Sequence, residues 1–472
     1  MQEFQIYCGG EFLKTDSIHQ VINPYDNTIV GQTYLGGLKE LEKAIKKAQM
    51  VELEMKNLPS YLKYEVLMQI ANTLKSQKEE AAKILCLESA KPIKYALGEI
   101  DRAIQTFIVA AEESKRLPKE YIDLDWTPAG EKGEGLVKYF PVGLVAGISP
   151  FNFPMNLAVH KIAPAIAAGC PIILKPSSST PLSTLFLARI IDQTALPKGA
   201  VSIVPMDRNT GNRLVTDDRF KLLSFTGSPG VGWKMKKEAG KKKVVLELGG
   251  NAGVIVTNSS NIDDAVQKCV IGGFAYSGQV CIHAQRIYVQ DAIFDEFAKR
   301  FIEKVKIFKL GDPINTTTDI SSMIDEANAK RVEGWVQEAV DEGAEILIGG
   351  KREGSYYPPT VLTKSSHKMK VCALEVFGPV VTLEQFSLFD EAIAKVNESD
   401  FGLQAGVFTN YLSEVNKAFD LLKVGGVIIN DVPTFRVDHM PYGGIKNSGM
   451  GREGVKYAIL DMLEARILVK NR

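Results

Sequence analysis

Gly143-Leu-Val-Ala-Gly-Ile-Ser149, Pro171-Ile-Ile-Leu-Lys175, Val201-Ser-Ile-Val204, Leu222-Leu-Ser-Phe225 and Lys243-Val-Val-Leu-Glu247 are short apolar runs separated by stretches long enough for helices. A strand that reads as a continuous Val/Ile/Leu run has no face to show to water. Such strands belong in a parallel sheet covered by helices on both sides. A second alternating series begins near Asn251-Ala-Gly-Val-Ile-Val256 and continues through Gln285-Arg-Ile-Tyr-Val289, Glu345-Ile-Leu-Ile348 and Gly425-Gly-Val-Ile-Ile429. The economical division is two α/β lobes joined near residue 248.

Before the first series, Leu38 to Leu117 has helical periodicity, with Val66-Leu67-Ile70-Leu74 and Ala82-Ile84-Leu85 set among many Lys and Glu residues. This predicts a solvent-facing helical layer. Between Tyr121 and Tyr139 the pattern changes to short segments such as Glu134-Gly-Leu-Val-Lys-Tyr-Phe140, bounded by Thr127-Pro-Ala-Gly130. A hairpin or protruding arm is expected there, and such arms often serve interfaces. Neither a solenoid-period repeat nor a low-complexity tract interrupts the chain.

The 472 residues carry 56 basic and 56 acidic side chains, so there is no long-range field to gather nucleic acid or an anionic membrane. The longest nearly uncharged apolar stretch, Ile162 to Leu174, is well short of the roughly 20 residues a membrane helix needs. It reads as a buried helix followed by a strand. Met1-Gln-Glu-Phe-Gln-Ile-Tyr7 lacks the basic and apolar regions of a secretory signal, so a cytoplasmic location is expected. The six cysteines stand far apart, with no CxxC and no Cys/His cluster at zinc spacing. Reduced thiols, no metal, and one thiol open to reaction are the expectation.

The dinucleotide pattern GxGxxG occurs as Gly449-Met-Gly451-Arg-Glu-Gly454, but it follows the polar turn Lys446-Asn-Ser448 instead of a buried strand. Phe225-Thr-Gly227-Ser228-Pro-Gly230-Val-Gly232 is the better phosphate-binding candidate. A strand precedes it and a helix follows near Trp233, and backbone N–H groups at such a helix start hold phosphate. Glu247 ends an apolar strand and runs into Gly249 and Gly250, where burial would raise its pKa toward that of a general base; the alternative is a surface turn. Cys281 follows a glycine turn in Phe274-Ala-Tyr-Ser-Gly278-Gln-Val-Cys281 and is either inert in the core or an activated nucleophile.

Taken together, Ser149-Pro-Phe-Asn152-Phe-Pro154, Lys175-Pro-Ser-Ser178, Phe225-Thr-Gly-Ser228, Glu247-Leu-Gly-Gly250, Gly278-Gln-Val-Cys281, Glu375-Val-Phe377-Gly-Pro379 and Pro441-Tyr-Gly-Gly444 span about 300 residues. In this order and at this spacing the chain resembles the aldehyde dehydrogenase superfamily. The resemblance implies an α/β fold: a Rossmann-like cofactor-binding domain (1–117 and 141–248), an α/β catalytic domain (249–452) and a β oligomerisation arm (118–140 and 453–472). It implies NAD(P)-dependent oxidation of a small aldehyde to the acid. Cys281 would form a thiohemiacetal and then a thioester, with the Asn152 amide and the Cys281 N–H binding the oxyanion and Glu247 activating water.

By the same resemblance the cofactor site comprises Ser149, Pro150, Phe151, Lys175, Ser178, Gly211, Phe225, Thr226, Gly227, Ser228, Leu248, Gly249, Glu375 and Phe377. Lys175 and Glu375 are similar to the ribose-binding pair, and Phe377 to the residue beside the nicotinamide. NAD-selective members often carry a glutamate three residues after the lysine. Ser178 removes that like-charge penalty on a 2′-phosphate, which tilts the expectation from NAD toward NADP. Phe153, Asn156, His160, Val280, Ile282 and Phe435 would surround the aldehyde tunnel. Val280, where relatives acting on phosphorylated aldehydes often have arginine, argues against a phosphate-bearing substrate. Arg102, His160, Arg436 and His439 are candidate anchors for a hydroxyl or carboxylate, or else structural hydrogen-bonding groups. Lactaldehyde, glycolaldehyde and succinate semialdehyde remain open as substrates. A coenzyme A-acylating reaction is the alternative on the same fold, and a non-catalytic scaffold is the alternative of a different class. The apolar stretch Leu460-Asp-Met-Leu-Glu-Ala-Arg-Ile-Leu-Val469 needs covering, so a homodimer or homotetramer is expected.

Overall fold

The apolar runs of the first series are all strands, and they lie side by side in parallel: Lys243–Glu247, Leu222–Thr226, Val145–Ile148, Ile172–Lys175 and Val201–Ile203, in that spatial order. The computed structural model describes residues 2–471. Antiparallel strands extend this sheet at both edges, Gly449–Met450 beside Lys243–Glu247 and Ile6–Cys8 with Glu11–Leu13 beyond Val201–Ile203. Alternation along each strand divides the core. Ile172 and Leu174 join the cluster beneath the helices Ser60–Ser76, Ile93–Ser114, Pro154–Ala168 and Leu182–Asp192, while Ile173 faces Leu41, Ile45 and Leu214 on the other side.

Pro154–Ala168 is buried along its whole length, as an apolar helix between two layers must be. Proline at its first position suits the start of a helix, and Gly169 at φ 86° ends it. The expected solvent-facing helical layer is corrected at Ile93–Ser114. Its Ala96, Ile100, Ala103, Phe107 and Ala110 are fully buried against Ser60–Ser76 and Pro154–Ala168, because its apolar stripe is too wide to leave on the surface.

The second series forms a seven-stranded sheet in the order Glu345–Ile348, Thr360–Thr363, Val380–Phe386, Ala284–Gln290, Ala252–Val256, Gln404–Phe408 and Gly426–Ile429. It is parallel except for its first edge strand. Lys119–Asp123, Gly133–Pro141 and Leu463–Asn471 make a separate antiparallel sheet, the arm. The C-terminal part of this arm is shorter than the sequence suggests. Val455–Asp461 is a helix packed on Pro154–Ala168 and Ile93–Ser114, because its Val455, Ala458 and Ile459 complete the first core. No helix among the described residues is long and apolar enough to cross a membrane.

Candidate active site

The parallel strands of the first sheet end together at Ile148, Lys175, Thr226 and Glu247, and ligands of open α/β sheets bind at such an edge. Two cavities open there. The larger, of about 610 Å³, is lined by Lys175, Ser178, Gly211 and Phe225 of the sequence-derived cofactor set, together with Arg208 and Lys234. The other, of about 390 Å³, brings Pro150, Phe151, Thr226, Gly227, Ser228, Leu248, Gly249, Glu375 and Phe377 together with Asn152, Glu247 and Cys281. Ser149 lines neither cavity, although its buried hydroxyl has no partner.

The surroundings fit a dinucleotide. A Cβ on Gly211 would lie 2.8 Å from Cδ of Lys175, and one on Gly249 would lie 2.1 Å from Oε2 of Glu375, so a side chain at either position would displace Lys175 or Glu375 from its place in the site. The ten-residue helix Pro229–Glu238 begins at the turn with no side-chain cap from Ser228, leaving its first N–H groups for an anion. It starts four residues before Trp233, since Pro229 is preorganised for a first helical position. Lys175 and Glu375, paired by resemblance, face different cavities. Burial raises the Glu375 carboxyl to about 7, opposed by the Gly250 N–H at 3.0 Å and by Arg331.

Cys281 is the one cysteine of the six that is not fully buried. It follows a strained turn in which Tyr276, Ser277 and Gly278 all have positive φ, at 51°, 53° and 67°. Only glycine fits at 278, because a Cβ would meet the Gly378 carbonyl oxygen at 2.1 Å. The turn is clamped by the Tyr276 hydroxyl donating to Ser89 O at 3.2 Å and the Ser277 hydroxyl donating to Ser321 O at 2.7 Å. Nδ2 of Asn152 donates to Gln279 O at 3.0 Å, beside the thiol, and Nζ of Lys91 fixes the Asn152 carbonyl at 2.6 Å. Burial pushes the Cys281 thiol up to about 11, opposed by hydrogen bonding to Tyr442 and by the charge of Arg436.

Glu247 is buried, as expected at a strand end opening on a crevice, and neither carboxyl oxygen has a hydrogen-bond partner. Burial, reinforced by the negative charge of Glu453, raises its pKa well above the usual carboxylate range. Burial would raise Glu453 too, but Lys161, Arg436 and His160 outweigh it and hold that carboxyl at about 2. Nζ of Lys161 reaches the Thr226 hydroxyl at 2.8 Å and Glu453 at 3.4 Å, and Arg436 reaches Glu453 at 2.9 Å.

The six tunnel candidates lie outside both cavity linings. Phe153 and Tyr276 sandwich the Lys91 ammonium, 3.8 and 4.4 Å from the ring centres. Ile282 and Val280 pack with Leu403 and Tyr442, and Phe435 is exposed. His160 is buried and meets Asp438 at 2.8 Å, the carboxylate that Arg102 also holds at 2.8 Å. His439 is exposed.

The sequence profile of the aldehyde dehydrogenase family matches residues 12–468. The chain belongs to this family. It is 43% identical to 3-sulfolactaldehyde dehydrogenase of Priestia aryabhattai, over 100% of this chain and 98% of that protein. A crystal structure of aldehyde dehydrogenase 21 from Physcomitrella patens in complex with the reaction product succinate superposes with a TM-score of 0.98, at 44% identity, covering 100% of this chain and 98% of the other. Glyceraldehyde-3-phosphate dehydrogenase GapN from Methanocaldococcus jannaschii, complexed with NADP, does so with a TM-score of 0.92 at 38% identity, covering 96% and 99%. The chain is therefore an oxidoreductase of aldehydes that uses NAD or NADP.

Several groups in this aldehyde dehydrogenase's site escape a reading by motif. Arg331 and Trp335 line the smaller cavity from the helix Glu326–Asp341. Arg208 opens the helix Arg208–Thr216 at the larger one. Lys161, Glu453 and Asp438 belong to the polar network behind the thiol and Glu247. The available signal was a lysine inside a helix that is otherwise almost entirely apolar.

Proposed function

We propose that this enzyme oxidises a small aldehyde bearing a terminal anion, with NADP as the better cofactor and Cys281, Asn152 and Glu247 as the reacting groups. One observation carries the substrate class. Nε of Arg102, Nδ2 of Asn156 and Nε of Arg436 are buried without hydrogen-bond partners. These atoms belong to one cluster. Arg102, His160 and Arg436 are linked through Asp438 and a 3.4 Å contact, and Asn156 faces Thr106 one helical turn from both Arg102 and His160. Buried donors without acceptors cost free energy, and an anionic tail satisfies them. Three of the relatives' names point the same way, since 3-sulfolactaldehyde, glyceraldehyde 3-phosphate and the product succinate carry an anion, whereas lactaldehyde, named for other relatives, does not. With Val280 in place of an arginine before the nucleophile, the anion is read as a carboxylate or sulfonate, with succinate semialdehyde the first compound to try.

Cys281 attacks the aldehyde carbon, its C–S bond forms, and the carbonyl oxygen becomes an oxyanion. The second N–H of the Asn152 amide and the backbone N–H of Cys281 receive that charge. When bound, the nicotinamide supplies the hydride acceptor that allows the carbonyl to re-form as a thioester. Glu247 then takes a proton from water as the water attacks, the C–S bond breaks, and the acid leaves. A buried carboxylate with a raised pKa suits that task and supports hydrolysis over transfer to coenzyme A. NADP is favoured because Ser178, Arg208 and Lys175 line one cavity, and Glu238, its one carboxylate, lies 3.9 Å from Lys234. The arm is read as a dimer contact, since Ile467, Leu468 and Val469 are about half exposed.

The test compares kcat/KM for succinate semialdehyde with that for butanal, each with NADP and NAD. A charge-assisted hydrogen bond of about 1.5–3 kcal/mol predicts a preference of roughly ten-fold or more for the anion. Equal values for the two aldehydes would refute the substrate class, and a faster NAD reaction would refute the cofactor preference.

A further inference from the structure

The Pro441–Gly444 turn touches both reacting groups, and its tyrosine has no role in the chemistry above. Oη of Tyr442 lies 3.0 Å from Sγ of Cys281. Its backbone is fixed by mutual hydrogen bonds with Glu453, N–H to carbonyl at 2.9 Å and 2.6 Å. The Arg436 guanidinium covers its ring, 3.7 Å from the centre, and is itself held by Glu453 at 2.9 Å. The next residue, Gly443, leaves room beside the general base, since a Cβ there would come within 2.8 Å of Oε1 of Glu247. The phenol is buried and has no other hydrogen-bond partner, so its single proton is free for the sulfur.

We propose that Tyr442 is a catalytic residue whose hydroxyl donates a hydrogen bond to the Cys281 thiolate, with Arg436 over the ring strengthening that donor. The proposal rests on Cys281 being the nucleophile. A thiol offers a proton or accepts one, but a thiolate can only accept, so the contact favours the charged sulfur when the phenol is the donor. The charged groups acting on the sulfur are Arg436, which also favours the thiolate, and Glu375 and Glu247, which oppose it. Burial opposes it more strongly than any of these. A direct donor is the group that works against burial without adding net charge to the site. A guanidinium on the ring face withdraws electron density from the phenol oxygen and makes its proton a better donor.

The experiment is the pH dependence of Cys281 alkylation by iodoacetamide, followed by mass spectrometry on full-length enzyme, for the unaltered protein, Tyr442→Phe, and protein with 3-fluorotyrosine at position 442. Loss of the donor should move the alkylation pKa up by about one unit, roughly a ten-fold slower reaction at neutral pH. The fluorinated phenol, nearly the same shape and more acidic, should move it down. An unchanged or lower pKa in Tyr442→Phe overturns the proposal. An unchanged or higher pKa with the fluorinated residue does the same, and this arm stands if the phenylalanine variant fails to fold. Turnover by Cys281→Ala separates the two readings: a working variant removes the nucleophile assignment itself, whereas a dead one, alongside an unmoved alkylation profile in Tyr442→Phe, removes only the role of Tyr442.

Discussion

Replacing Glu247 by glutamine keeps the shape of the side chain and removes its ability to take a proton. Acylation of Cys281 does not use that ability, and hydrolysis of the thioester does. General-base assistance contributes about 10²–10⁴-fold. Rapid mixing of Glu247→Gln with aldehyde and cofactor should therefore give a full burst of reduced cofactor, one equivalent per active site, followed by a steady rate lower by roughly 10²–10³-fold. In the unaltered enzyme the deacylation-limited rate should fall as pH drops through the raised pKa of Glu247, and the variant should lose this limb. Equal loss of burst and steady rate would refute the division of labour, because it would place Glu247 in acylation.

The same substitution has a thermodynamic counterpart of determined sign. Burial favours the neutral carboxyl, so the folded chain retains a proton that the unfolded chain releases near 4.5. Stability attributable to Glu247 is then full at low pH and is lost as pH rises from that value through the folded pKa. Glutamine has no charge to desolvate. Glu247→Gln should melt higher than the parent at pH 8 and show a smaller difference at pH 5, by scanning calorimetry. A variant less stable at both pH values would mean that the carboxylate is compensated in the fold better than its unpartnered oxygens indicate.

Arg102→Met should lower kcat/KM for succinate semialdehyde by about 10–100-fold while leaving butanal within about two-fold, the magnitude of a lost charge-assisted contact; a parallel loss on both aldehydes would make Arg102 structural. Ser178→Glu should move the NADP-to-NAD ratio of kcat/KM toward NAD by about ten-fold or more, through repulsion of the 2′-phosphate; an unchanged ratio would assign discrimination to other residues. Leu468→Glu, on the exposed face of the strand Leu463–Asn471, should release monomer in sedimentation velocity, whereas an undisturbed oligomer would refute the arm as the dimer contact.

The strands could be read from the sequence because burial on both faces leaves a continuous apolar run, a local property that Ile172, Ile173 and Leu174 show without help from distant residues. Glu247 and Cys281 were visible because each stands within three residues of a glycine in a short motif. Lys161 and Glu453 were not, since they are 292 positions apart and each looks ordinary where it stands, a lysine on a helix and a glutamate in a glycine-rich turn. The helix Ile93–Ser114 was misread for a related reason: its acidic and basic residues suggested solvent, yet Glu99 is fully inside, paired with Lys91 and accepting the Met155 and Asn156 N–H groups at 3.0 and 3.1 Å. A charge in a sequence reports polarity; only the fold shows whether water or another charge answers it.

That distinction explains how a buried carboxyl can work as a base here. Lys161, Arg102 and Arg436 bring three positive charges to the network, and Glu453 and Asp438 bring two negative ones. Burial alone lowers the affinity of Lys161 for its proton, and the adjacent Glu453 and Glu247 carboxylates restore part of it. With those groups charged, ionised Glu247 makes the cluster neutral and protonated Glu247 leaves it at plus one. Neither state carries a large uncompensated charge, so the proton can be taken and released without rebuilding the site. Removing Glu453 alone would turn the balance to plus two with Glu247 protonated and plus one with it ionised. The network would then hold Glu247 as the carboxylate and lower its pKa, weakening the base while the thiol, the oxyanion donors and the cofactor edge stay in place.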